Sequence, residues 1–148
     1  MKRQATTILG MASLLLLLGA SAASAGSIEL WADIPFGFMA GDKMLPAGTY
    51  NVTRPGDFPT VLHIQNQDWI HGGALVQANI SQPANTKGTT SLVFNRYGDR
   101  HFLSQVWTAG RSGGYLLRKS RQEQELAREL AAKGTRVPEV VSVAASVQ

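Results

Sequence analysis

The chain has 148 residues, 14 Lys and Arg against 10 Asp and Glu, a formal charge of +4, and no cysteine. Its length suits one domain behind a leader. The missing cysteine excludes a disulfide framework, a thiolate metal site and a cysteine nucleophile. Arg111, Arg118, Lys119, Arg121, Arg128, Lys133 and Arg136 gather toward the C-terminus, with Glu123, Glu125 and Glu129 among them. Such mixed signs describe a solvated helix face and point away from nucleic acid.

The first 25 residues read as a signal peptide. Lys2 and Arg3 form a positive start, Ile8 to Leu18 is apolar, and Ala23-Ser24-Ala25 sets small residues at alternate positions. Cleavage is expected before Gly26, with Ala20-Ser21-Ala22 as a competing site. The apolar run is shorter than the ~20 residues that a bilayer requires. The cleaved chain is therefore expected not to span a membrane, and to be secreted or periplasmic. No cysteine is present for a lipobox, and Lys2-Arg3 is not a twin-arginine signal. The remaining 123 residues carry 12 basic and 10 acidic side chains. At that size a chain buries roughly two-thirds of its unfolded surface.

Residues 26–118 are expected to form a β domain. Ile28, Leu30, Ala32 and Ile34 alternate with Glu29, Trp31 and Asp33, as a half-buried strand requires. Pro35 lacks a ladder donor, so the strand should break there or lie at an edge. Gly41-Asp42 and Leu45-Pro46-Ala47-Gly48 read as turns. Thr49 to Arg54 follows, with Tyr50 and Val52 on one face. Thr60 to Gln65 places Leu62 and Ile64 together. Gly73 to Ile80 is a further strand, and Ser81 to Gly88 a polar loop.

Ser91 to Tyr97 and Arg100 to Ala109 flank Gly98-Asp99 and predict a hairpin on a type II′ turn. Uninterrupted pairing sets Phe94 opposite Leu103, Val93 opposite Ser104 and Arg96 opposite His101. Phe94, Leu103 and Trp107 would then share one face, and Val93, Phe102 and Val106 the other. Both faces are bulky, so one should meet a second layer. Arg111 to Tyr115 reads as a loop. Residues 119–134 predict a helix: Ser120 with Glu123 forms a capping box, Gly134 suits the C-terminal stop, and Pro138 forbids continuation. Its stripe of Leu126, Leu130, Ala127 and Ala131 should dock on the β domain. Residues 135–148 are either a late strand or a tail.

No reaction is legible. His63, His71 and His101 lack ligand spacing, so no metal is expected. No Gly-x-Ser-x-Gly setting, phosphate loop or dinucleotide pattern occurs, so no catalytic residue and no cofactor is assigned. Arg96, Tyr97, Arg100 and His101 form the densest polar cluster and are the candidate surface-binding residues. Alternation puts Arg96 and His101 on one face and Tyr97 and Arg100 on the other. Trp31, Trp69 and Trp107, with Tyr50, Tyr97 and Tyr115, are expected mainly to build the core, with a ligand surface as the alternative.

Three motifs occur together: Ile34-Pro35-Phe36 with Phe38; Leu45-Pro46-Ala47-Gly48-Thr49-Tyr50; and the run from Phe94 through Arg96-Tyr97-Gly98-Asp99-Arg100 to Phe102-Leu103. With Lys119-Ser120-Arg121 opening a helix, they resemble a group of small exported bacterial β-rich proteins of unknown function. The resemblance implies export and a β-rich domain and carries no catalytic residues. The expected fold is an antiparallel β-sandwich or small closed barrel of about seven strands with one C-terminal helix. The expected function is a non-enzymatic interaction module for protein, glycan or envelope material. The alternatives are a small-ligand carrier with a β cavity, or an enzyme whose site is assembled from distant residues.

Overall fold

The computed structural model describes residues 28–81, 88–135 and 138–147. The expected leader and its cleavage site lie outside the described residues, as does most of the polar loop before the hairpin. Ten strands and one helix follow in chain order: β1 Glu29–Ile34, β2 Phe38–Ala40, β3 Lys43–Leu45, β4 Gly48–Thr53, β5 Val61–Asn66, β6 Gly73–Ser81, β7 Ser91–Tyr97, β8 Arg100–Trp107, β9 Gly114–Leu117, α1 Arg121–Ala132 and β10 Glu139–Val147.

Eight strands close an antiparallel barrel in the order β1-β4-β5-β6-β9-β8-β7-β10, with β10 returning to β1. The barrel resolves the choice between sandwich and barrel, and its ring holds one strand more than expected. Two segments complete the ring. Gly114–Leu117, read as part of a loop, pairs with both β6 and β8. Residues Glu139–Val147 form a strand antiparallel to both β7 and β1, so the ring closes only through the end of the chain. The β2–β3 hairpin stands outside the ring, with β2 parallel to the first part of β8. Pro35 marks the break between β1 and β2, as its missing donor demands.

Alternation decides what fills the barrel. Leu30, Ala32 and Ile34 of β1, Tyr50 and Val52 of β4, Leu62 and Ile64 of β5, and Ala74, Val76 and Ala78 of β6 are buried in one cluster. Leu92 and Phe94, Leu103 and Val106, and Tyr115 join from the other wall, and Val141, Val143 and Ala145 of β10 pack against them. Eight strands leave an interior just wide enough for side chains, and here side chains occupy it. Phe36 and Phe38, from the turn and start of β2, stand edge-on to Phe94 at 5.2 and 5.4 Å between ring centroids.

The β7–β8 hairpin turns on Gly98 at φ +67°, while Asp99 keeps a negative φ, as a type II′ turn requires. Phe94 faces Leu103 and Arg96 faces His101 as expected. Val93, however, faces Gln105, because the register shifts between Val93 and Phe94. Ser104 is the extra residue of a bulge, and its hydroxyl donates to the Val93 carbonyl at 3.0 Å. A one-residue bulge inverts the faces beyond it. Val106 thus joins Leu103 and Phe94 inside, while Phe102 is outside with Tyr97 and Met39.

Helix α1 covers that outer cluster. Leu126, Ala127 and Leu130 pack on Met39, Tyr97 and Phe102, whereas Ala131 is exposed. Ser120 caps the helix by accepting from the Glu123 amide at 3.2 Å. The expected return bond from the Glu123 side chain is not made. That carboxylate is 2 % exposed and turns toward the barrel. It accepts from Asn95 Nδ2 at 2.8 Å and from the Tyr97 hydroxyl at 3.1 Å.

Candidate functional site

The polar phase of β1, β4 and β5 forms two cross-strand rows on the outer wall. Register sets Trp31 beside Asn51 and Asn51 beside Gln65. One step along, Glu29 lies beside Thr53 and Thr53 beside His63. Directly opposed side chains sit about 4.5–5.5 Å apart, so each row forms a continuous polar strip. These residues, with Trp69, line a groove of about 310 Å³.

Trp69 reaches the groove from the β5–β6 turn, which is firmly built. Asn66 is 2 % exposed, and its Oδ1 accepts from the Asp68 amide at 2.8 Å. The Trp69 amide donates to the Asn66 carbonyl at 3.1 Å, and the Gln67 amide to the Thr49 carbonyl at 2.9 Å. This framework holds Trp69 at φ +57°, where it is the one non-glycine residue with positive φ among the described residues. A bulky side chain in that region is strained by roughly 1–2 kcal/mol. The indole is nonetheless 76 % exposed, so interior packing does not account for its placement. At the other side of the groove, Gly73 pairs with Gln65. A Cβ there would collide first with the Ile64 carbonyl and then with Gln65 Oε1, so the close approach of β5 and β6 requires glycine.

Trp31 Nε1 and Asn51 Nδ2 are shut off from solvent and meet no acceptor among the described residues. A buried donor without a partner costs about 1–3 kcal/mol. Two in cross-strand neighbours of one groove mark a place where the outer wall is polar without being satisfied. Glu29 and His63 are the ionisable side chains lining it. A second hollow, of about 380 Å³, lies between Arg54, Ile80 and the Gly110–Tyr115 segment.

The four residues expected to form a binding surface fall into two environments. His101 stacks on Phe36 at 3.9 Å and 14° between rings. Burial, then the neighbouring Arg96 charge, lowers its pKa from the ordinary 6.5, with Asp99 and Glu139 opposing. Arg96 donates to the Gly98 carbonyl at 2.7 Å and pairs with Glu139 at 3.4 Å. Tyr97 and Arg100 belong to the helix side. Arg100 lies 5.3 Å over the Phe102 ring and donates to Gln122 at 3.2 Å. The Tyr97 hydroxyl is sealed against Glu123, and its pKa is pushed up to about 12 by burial and then by that carboxylate's charge. Packing and turn contacts thus engage all four residues, although His101 Nδ1 is buried without a hydrogen-bond partner among the described residues.

The sequence offers core and ligand surface as alternatives for these aromatics and does not single out the groove. Tyr50, Tyr97 and Tyr115 are indeed buried. Trp31 and Trp69 are not core. For Trp31 the signal was present: a tryptophan on the polar phase of an amphipathic strand, between Glu29 and Asp33. For Trp69 there was none, since a turn residue's direction depends on the loop. Among the described residues, no three His, Asp or Glu gather as a metal centre would need. No described helix is long and apolar enough to cross a membrane. No family model, no curated protein and no solved structure matches this chain.

Proposed function

We propose that this chain is an exported, non-enzymatic binding module whose working surface is the groove over β1, β4 and β5. One observation carries the reading: two tryptophans and the amides of Asn51 and Gln65 converge in one hollow, with Trp31 Nε1 and Asn51 Nδ2 left unpaired among the described residues. Ligand sites combine an apolar wall with a few placed polar groups in this way. The strained turn that presents Trp69 adds to it, because backbone strain concentrates at ligand clamps. The carrier alternative is disfavoured by the bulky side chains that fill the barrel interior. Export rests on the Lys2-Arg3 start, the apolar run and Ala23-Ser24-Ala25, and on the resemblance to exported bacterial proteins.

The test has two arms. N-terminal sequencing of the processed protein is expected to begin at Gly26, and an uncleaved, membrane-bound species would contradict export. The processed protein is then mixed with insoluble cell-envelope material and centrifuged. It is expected to sediment with that material, and Trp69→Ala to release it to the supernatant. Sedimentation indifferent to both Trp69→Ala and Trp31→Phe overturns the groove as the working surface.

A further inference from the structure

We propose that the ligand of this groove is a neutral saccharide chain, which stacks on Trp31 and Trp69 and hydrogen-bonds to Asn51 and Gln65. The inference rests on the reading of the groove as the working surface.

The chemistry of the wall selects the class. A pyranose ring presents a face of C–H groups, whose slight positive charge suits the negative face of an indole. Its edge is a row of hydroxyls, each both donor and acceptor. Asn51 and Gln65 carry a carbonyl acceptor and an amide donor apiece, so they can match neighbouring hydroxyls of one ring. They are paired across adjacent strands, with Trp31 on the next strand again. The row therefore spans two strand spacings, roughly 10 Å, the length of a two-ring saccharide unit.

The unpaired donors point the same way. Trp31 Nε1 and Asn51 Nδ2 lack acceptors, and a hydroxyl-rich ligand supplies them. Reaching them takes a shift of the groove wall. Trp69, 76 % exposed on its turn, is a wall member with little packing to hold its side chain.

Other occupants fit less well. An extended peptide gains its affinity by adding a strand to a free sheet edge, and β1, β4 and β5 are paired on both sides. Nucleic acid and acidic glycans need cations along the backbone, and the groove is lined by neither Lys nor Arg. A purely apolar ligand would leave the Trp31 and Asn51 donors unsatisfied.

The experiment titrates the processed protein with maltohexaose, cellohexaose and chitohexaose, reading the indole N–H resonances of its three tryptophans. At least one hexasaccharide is expected to shift the Trp31 and Trp69 signals saturably and leave Trp107 in place. Trp69→Ala, at an exposed position, should weaken that binding roughly tenfold or more. Trp31→Phe keeps a ring and removes the Nε1 donor, so it should weaken binding without unfolding the barrel. No saturable shift with any of the three overturns the saccharide inference. So does binding that ignores both substitutions, or capture of phage-displayed peptides through Trp31 and Trp69 without saccharide binding. If no saccharide binds while envelope sedimentation still depends on Trp69, the groove stands and only its ligand class falls. If sedimentation is also indifferent, both fall together.

Discussion

Glu123 and Tyr97 show how a single buried acceptor sets the behaviour of its neighbours. The carboxylate is enclosed by α1 and β7, and the phenol and the Asn95 amide both donate to it. Ionising Tyr97 would place a second negative charge against it in a buried setting, which is why the phenol's pKa is pushed up to about 12. The folded-state value lies above the unfolded one near 10, so the neutral phenol stabilises the fold. That contribution is fully present below about pH 10 and is lost as pH rises through about 12. A shift of this size is worth about 2–3 kcal/mol. Tyr97→Phe should therefore flatten the alkaline fall in melting temperature and remove the latest phase of the tyrosinate absorbance titration. An alkaline titration unchanged in Tyr97→Phe would refute the assignment.

At the scale of elements, α1 is held by three separable contacts. Ser120 caps it, Leu126 and Leu130 cover Met39, Tyr97 and Phe102, and Glu123 ties its first turn to β7. Ser120→Ala removes one cap and should cost about 1 kcal/mol. The two leucines are half-buried, so Leu126→Ala and Leu130→Ala should each fall at the lower end of the ~2–5 kcal/mol for core truncations. Glu123→Ala strands the Asn95 amide and the Tyr97 hydroxyl in a buried place, and should cost about 2–3 kcal/mol. Urea melts of the four variants should rank Ser120→Ala as the mildest. A Glu123→Ala melt no worse than that of Ser120→Ala would mean the buried acceptor is not what docks the helix.

At the scale of the molecule, the barrel depends on its last strand. β1, β4, β5 and β6 form one run of the wall and β7 to β9 join it through β9 against β6, leaving β1 and β7 without partners on one side each. β10 fills that gap, pairing with both and adding Val141, Val143 and Ala145 to the interior. Without it, two ladders and part of the core are exposed to water. The loss is comparable to the ~5–15 kcal/mol that separates folded from unfolded chains. A chain ending at Thr135 should show no cooperative thermal transition. A peptide covering Pro138–Gln148 should restore one when added in trans. A normal melt of the truncated chain would show that the barrel closes without β10.

Much of this fold follows from local pattern. Alternation along β1, β4 and β5 determined which residues face inward, because successive strand side chains point to opposite faces whatever lies beyond. Gly98-Asp99 determined the hairpin and its near register, and Ser120 with Gly134 set the limits of the helix. Local pattern went wrong where the outcome depended on distant partners. A bulge at Ser104 shifts the register beyond it, so it moved Val106 to the Leu103 face and turned Trp107 away from it, without a mark in the sequence. Glu123 forsook its capping-box bond because Asn95 and Tyr97, more than two dozen residues earlier, offered better donors. The groove was half legible. Trp31 on a polar phase was visible, but its meeting with Asn51, Gln65 and Trp69 needed the register of three strands and the course of a turn. Closure of the barrel was decided by tertiary structure alone. A strand of Val, Ala and Ser is stable only between two others that lack partners, and nothing within residues 139–147 says where those two are.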